Sequence, residues 1–413
     1  MKRIYYCFSC LFMIFNFTSQ AQKDSTFLQN YTPPNYKFQT LAFTPNLSQS
    51  YAKTSGLKRS IFDFDLNTRY FLEKFNEKNT VTISAFMDNG LSFNTTNEIN
   101  APSSNFYSNF TNFEVNHDHF LTEPMFIGYS TDIEIRMTQS YQESSNPWSI
   151  SLAVPVGLGF GRVYDVSTAW HAATIMEDAQ AAGIAVDESA LLGFADTLVA
   201  LRYTRIFDTR LQEIERRTKL LEYLQAKAGV DMNPFASTLI IDSYQFERFT
   251  RRRRGYRIFA GPAFELTGDS RIEDGDRNWI GRFDLYPVVN FEYHRPVNKD
   301  FQLTVLLESS FKNNIDGIGQ DVRVNLNTGL GWFMSRRVNF FINPGVILFQ
   351  NVNEFANNSA VSVNLGAGMN YYVSPQLVLS SLLFIQRNST SGLGFNSTAI
   401  NQNFNFRAVY LLM

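Results

Sequence analysis

The chain has 413 residues with 36 Lys and Arg against 38 Asp and Glu, a formal net charge of −2. That balance and a mean hydropathy of −0.18 resemble a soluble protein's, yet they do not exclude a membrane barrel, because half of every spanning strand is polar and the mean cancels. Both cysteines, Cys7 and Cys10, fall in the first 21 residues, so a chain cut after Ala21 has no thiol, and disulfides, thiolate metal sites and cysteine nucleophiles are excluded.

Residues 1–21 read as a secretory signal peptide: 1–3 are basic, 4–17 are apolar, and Ser19-Gln20-Ala21 supplies small residues for cleavage. The apolar run is shorter than the roughly 20 residues a spanning helix needs. Residues 22–36 then form a short periplasmic or plug segment.

From residue 37 apolar and polar residues alternate with a period of two, in segments broken by Asn, Ser, Gly and Asp. Phe62, Phe64, Leu66, Tyr70 and Leu72 alternate with Asp63, Asp65, Asn67 and Arg69; Trp148, Ile150, Leu152, Val154, Val156, Leu158 and Phe160 make another apolar row. In a transmembrane β-barrel one parity meets lipid and the other the interior. The pattern places strands at 37–45, 60–73, 80–88, 108–117, 125–138 and 147–161, which fill a first barrel segment, 37–163. Strands at 255–267, 278–293, 301–311, 321–334, 337–350, 360–371, 376–386 and 402–412 fill a second, 251–413. The fold expected is an all-β transmembrane antiparallel barrel of about fourteen strands. If the first strand runs outward, the odd connections, among them 46–59, 89–107 and 387–401, are the long extracellular loops. Tyr70, Tyr293, Trp332, Tyr371 and Tyr410 then end inward-running strands, and Trp148 and Trp279 begin them, where a membrane boundary favours amphipathic rings.

Between strands six and seven, residues 164–250 switch to a period of about 3.6. Ala169, Ala172, Ala173 and Ile175 mark one helix; Leu191, Leu192, Ala195, Leu198 and Val199 mark a second with Asp187 as N-cap. Leu211, Ile214, Leu220, Leu221 and Leu224 stripe a third whose other face carries Glu213, Glu215, Arg216, Arg217 and Lys219, and a fourth covers 237–249. With six strands before it, this α-helical insert is expected on the periplasmic side.

The SQAQ cleavage region, the Phe/Tyr/Asn-rich strands and the aromatic C-terminal strand resemble outer-membrane barrel proteins of the Bacteroidota type. The resemblance implies the bacterial outer membrane as location and its lipid as surroundings, without implying a substrate. Nutrient receptors carry a separate plug domain before a larger barrel, and residues 22–36 are too few for one.

Inward-facing charges are the lumen-lining candidates: Asp63, Asp65, Arg69, Asp132, Glu134, Arg136, Arg282, Asp284, Asp321, Arg323 and Arg407, together with Glu114, Arg257, Glu265, Glu292 and Glu308. They suit either a polar passage that selects solutes or a salt-bridge lattice that fills the interior. Fourteen strands enclose more than side chains alone, and glycines at 157, 159, 161, 261, 329, 331, 366 and 368 leave room for a lumen, a plug or packed aromatics. Glu213, Arg216 and Arg217, and the run Arg251, Arg252, Arg253 and Arg254, are candidates for gripping a periplasmic protein, an envelope polymer or phospholipid headgroups, the run serving otherwise as a basic collar at the membrane. His117, Asp118 and His119 read as a solvated turn rather than a metal site. No catalytic group, metal site, cofactor or nucleic-acid module is expected. The function implied is an outer-membrane pore or transporter for small solutes or apolar molecules, the alternative being a non-transport anchor whose helical insert docks an envelope partner.

Overall fold

The computed structural model describes residues 26–54, 57–96, 104–140, 148–181, 190–202, 209–227, 234–245, 251–273, 276–313, 320–335, 337–352, 357–374, 377–392 and 395–410. The expected signal peptide and the expected N-cap Asp187 lie outside them. A short helix, α1 (Thr26–Asn30), precedes β1 (Tyr36–Thr54), β2 (Leu57–Phe75), β3 (Asn79–Thr96), β4 (Ser104–Thr122), β5 (Met125–Ser140) and β6 (Trp148–Asp165). Four helices follow: α2 (Ser167–Ala181), α3 (Leu191–Arg202), α4 (Thr209–Lys227) and α5 (Pro234–Gln245). The wall then resumes with β7 (Arg253–Glu273), β8 (Asp276–Pro296), β9 (Phe301–Asn313), β10 (Gln320–Ser335), β11 (Val338–Val352), β12 (Asn357–Tyr372), β13 (Leu377–Gly392) and β14 (Phe395–Tyr410).

All fourteen strands form one antiparallel barrel wall in sequence order, with the helical insert between β6 and β7. Among the described residues no ladder joins β14 back to β1. The curl shows in side chains that meet across intervening strands: Arg257 of β7 reaches Asp118 of β4, and Arg251, just before β7, reaches Glu73 of β2. Parity sorts the two faces. On β7 and β8, Ile258, Leu266, Phe283 and Leu285 are exposed on the outside, while Phe259, Ala263, Asp284 and Tyr286 are buried on the inside.

Strand length corrects the sequence reading. Segments expected as long loops are mostly strand: β1 meets β2 across residues 55–56, and β13 meets β14 across 393–394. β1 and β2 have 19 residues each, against about 9–11 needed to cross a bilayer. The surplus lies at the end away from the insert, where Asn, Ser, Gln and Thr fall on both parities. Both parities are then polar, which mimics a loop in sequence, and connection length does not distinguish the two ends.

Pro155, Pro262 and Pro344 each sit where one neighbouring ladder is broken. The β6–β7 register passes from Pro155 opposite Ala263 to Leu158 opposite Ala260, and the β5–β6 register skips from Tyr129/Val156 to Asp132/Ala153. A missing N–H costs little where no ladder bond is made. Glycines serve this closing-in more than they hollow the lumen: a Cβ on Gly157 would lie 2.2 Å from the Ala260 carbonyl oxygen, and one on Gly159 would strike the Phe126 ring. Gly161 and Gly255 have φ of +95° and +105°, and a Cβ on Gly255 would lie 2.2 Å from the Arg162 oxygen. Left-handed backbone costs other residues about 1–2 kcal/mol before any clash. Gly255→Ala is therefore expected to lower the urea midpoint of the detergent-folded protein, and an unchanged midpoint would show that the pinch is not needed.

The insert has its own apolar core. Val166, Trp170 and Ile175 pack with Phe194 and Leu198 of α3, Leu220 and Leu224 of α4, and Ile240 and Tyr244 of α5, and the core takes in Leu28 and Tyr31 from the N-terminal segment. Among the described side chains, which leave out that of Leu211, the expected stripes hold except at Leu192 and Ile214, which are exposed.

Candidate functional site

The insert lies across one mouth of the barrel, touching the wall at the β1–β2 ends and at the β8–β9 and β10–β11 turns. Val199 of α3 packs on Tyr36 and Phe75 at the ends of β1 and β2. Trp170 of α2 donates its indole N–H to the Lys299 carbonyl at 2.7 Å in the β8–β9 turn, and Lys299 pairs with Glu177 at 2.9 Å. Arg337, in the β10–β11 turn, pairs with Asp242 of α5 at 3.3 Å. These contacts make the insert a floor.

Six arginines cluster where that floor meets the wall. Arg252 is fully buried and donates to the carbonyls of Asn298 at 2.6 Å, Phe301 at 2.8 Å and Lys299, with its guanidinium 4.7 Å from the Phe333 ring. Burial pushes its pKa down to about 9, against the opposing pull of Asp300, so it stays charged at neutral pH. Arg251 pairs with Glu73 at 2.6 Å, and Arg253 with Glu292 at 3.0 Å. Arg254 holds the N-terminal segment through the carbonyls of Gln29 and Tyr31 (2.9 Å) and the Thr32 hydroxyl (3.1 Å). Tyr31 in turn donates to Asp196 of α3 at 3.0 Å, and burial followed by that carboxylate raises its phenol pKa. Arg257 makes a two-pronged pair with Asp118 at 2.7 and 2.8 Å, the geometry that most favours a guanidinium with a carboxylate.

The sixth, Arg162, escaped the sequence reading because it continues the outward parity of Phe160. The left-handed Gly161 precedes it, and its guanidinium instead lies inside, 4.1 Å from the Phe75 ring and 4.2 Å from Phe120, donating to the carbonyls of Asn76 and Glu77. The Gly157-x-Gly159-x-Gly161 run is the one sequence signal for that turn-in. Asp118, read as part of a solvated turn, is a buried strand residue facing inward. Inside the barrel His294 bridges Glu292 (2.6 Å) and Thr304 (3.0 Å). Because Glu292 also holds Arg253, this relay braces the wall.

Above the arginines lies a polar cavity of about 380 Å³ bounded by β2, β3, β4, β6, β7, β8 and β9. Six carboxylates line it, Glu73, Glu114, Asp118, Asp165, Glu292 and Glu308, against three guanidiniums, those of Arg162, Arg253 and Arg257. Glu73, Asp118 and Glu292 are paired with arginines. Glu114 is held by Asn116 and Ser84, and Glu308 by Asn325, neutral donors, and among the described residues neither carboxylate pairs with a cation.

Towards the far mouth, Glu134 pairs with Arg136 at 2.5 Å, and Arg282 with Asp284 at 2.9 Å. Asp132 accepts from Asn112 at 2.7 Å, Asp321 accepts from Asn351, and Arg69 lies 5.1 Å from the Phe86 ring. The Arg136 and Arg282 side chains are 64% and 45% exposed, so this part of the interior is open. Asp63 and Asp65 are half-buried, Arg323 is exposed, and the side chains of Arg407 and Glu213 lie outside the described residues. Arg216 and Arg217 lie half-buried on α4, away from the cavity.

No family model matches the sequence, and no curated protein matches it either. Among solved structures, similarity extends to an outer membrane channel from Pseudomonas putida F1, at 8% identity over 93% of this chain and 98% of that one, with a TM-score of 0.31. OmpT, an outer membrane protein of Vibrio cholerae, has 8% identity over 91% of this chain and 96% of its own, with a TM-score of 0.30. The CymD monoaromatic hydrocarbon channel has 9% identity over 95% and 94%, with a TM-score of 0.28. Overlap this low says nothing of substrate.

Proposed function

We propose that the chain is an outer-membrane pore for small polar solutes, selective for cations, with the helical insert as its periplasmic floor. The membrane setting is supported by the outward apolar rows, whose exposed Leu158, Leu266, Phe283 and Ile342 would be costly in water; the Bacteroidota affiliation rests on the sequence resemblance. The observation that carries the pore is the cavity above the floor, where fixed carboxylates outnumber guanidiniums and Glu114 and Glu308 lack cationic partners among the described residues. Charge of one sign in a confined passage favours counter-ions. Its polar lining favours hydrated solutes over apolar ones.

Planar-bilayer recording tests this. The purified protein is expected to conduct with a cation preference, and Glu114→Gln with Glu308→Gln to move the reversal potential in a KCl gradient towards zero. Replacing 168–248 with a short Gly/Ser turn should raise conductance by removing the floor. A barrel that stays closed at every voltage before and after that excision would sink the proposal. The rival, a docking anchor, is favoured by Ile214 on α4 and Phe235 on α5, both exposed on the insert. It predicts a periplasmic protein that co-purifies with the whole chain and is lost on the same excision.

A further inference from the structure

The histidines on β4 stand apart from the lumen. His117 and His119 have the parity of exposed Phe113, so they point outward while Asp118 between them turns in to Arg257. The two imidazoles thus share one face of an extended strand, with ring centroids 6.4 Å apart. Both aim at one atom: His117 Nε2 is 3.0 Å and His119 Nδ1 is 2.9 Å from Asn79 Oδ1, on the neighbouring β3. His119 is opposite Asn79 in the β3–β4 register, and His117 is braced edge-on by the Tyr129 ring at 5.0 Å.

We propose that His117 and His119 form a site for a borderline divalent transition metal, of the Zn²⁺ or Cu²⁺ class, on the outer face of the barrel near the insert end. Both rings donate N–H to the same amide oxygen, so the two nitrogens already face a common point. Imidazole nitrogen is a preferred ligand of these ions and a poor one for Mg²⁺ or Ca²⁺. Bonds of about 2.0–2.1 Å require the rings to close by rotation about their side chains, with Asn79 Oδ1 either completing the shell or giving way to water. Among the described residues no group of three or more His, Cys, Asp or Glu side chains is set to hold a metal, so this is a two-histidine site with open positions. Asp118, committed to Arg257, is not a ligand.

The test is titration of ZnCl₂ into EDTA-stripped full-length protein in detergent micelles, followed by calorimetry, with MgCl₂ as the contrasting ion. One Zn²⁺ per chain is expected, with no heat from Mg²⁺, and His117→Asn or His119→Asn should each weaken binding at least tenfold. Independently of any variant, Co²⁺ should give the visible absorption of a nitrogen-ligated site, displaced by Zn²⁺. Absence of stoichiometric Zn²⁺ binding, or variants that bind as the parent does, would overturn the proposal.

Discussion

Arg252→Met is expected to loosen the floor by several kcal/mol, because three hydrogen bonds from a charged donor are lost, at about 1.5–3 kcal/mol each. Methionine fits the apolar part of the site against Phe333, but the Asn298 carbonyl loses its donor, while those of Lys299 and Phe301 lose one of two and keep the Trp170 indole and Val297 N–H groups. The Asn298 carbonyl left without a donor costs about 1–3 kcal/mol, and the other two lose a charge-assisted bond each. The Arg252 backbone is tied in as well, since its N–H donates to Ser167 Oγ at 2.8 Å and its carbonyl accepts from Val166 N–H at 2.8 Å, so the loss acts where the chain passes from insert to wall. Limited proteolysis in detergent is the measurement, with cleavage between 182 and 250 expected to accelerate while the wall stays heat-modifiable. Arg252→Lys should recover part of the resistance, because an ammonium supplies charge and donors without the planar fork. Unchanged proteolysis of the methionine variant would mean that the guanidinium does not hold the floor.

The wall was legible in the sequence because its physics is local. A strand with lipid on one side and a polar interior on the other must alternate, and Phe62 to Leu72 or Trp148 to Phe160 can be assigned from parity alone. Legibility ends where that environment ends. Residues 46–54 and 395–401 are strand, but beyond the lipid nothing forces alternation, so their Asn and Ser read as loop. It ends again at Arg162, where the backbone at Gly161 overrides parity. Hardest to read was the Arg251–Arg254 run: four adjacent guanidiniums look like a solvent-facing patch, yet here they hold Glu73, a turn of carbonyls, Glu292 and the N-terminal segment. Partners at such sequence separations leave no local mark. The cavity was half legible, since the charges show in parity and their pairing does not.

Leu326→Arg is expected to impair insertion strongly, and Asn325→Arg to leave it nearly intact. The two residues are neighbours on β10, but they answer to different solvents. Leu326 sits opposite Leu307 on β9 and Val346 on β11, in the outward parity shared with exposed Leu330 and Trp332. Asn325 faces in, donating to Glu308 at 3.2 Å and accepting from Asn327 at 3.0 Å. An arginine on the lipid face near the bilayer midplane costs about 2–4 kcal/mol. At Asn325 the same side chain would meet water and the Glu308 carboxylate, so burial is not required and the ion pair offsets the lost amide contact. Folding into liposomes from urea, read by heat-modifiable mobility, should separate the variants by at least tenfold in folded fraction at the parent's midpoint. The Asn325→Arg protein, if folded, should also lose cation preference, because it neutralises one of the two carboxylates on which that selectivity depends. Equal folding of both variants would put β10 in the wrong parity, and with it the placing of Glu308 in the lumen.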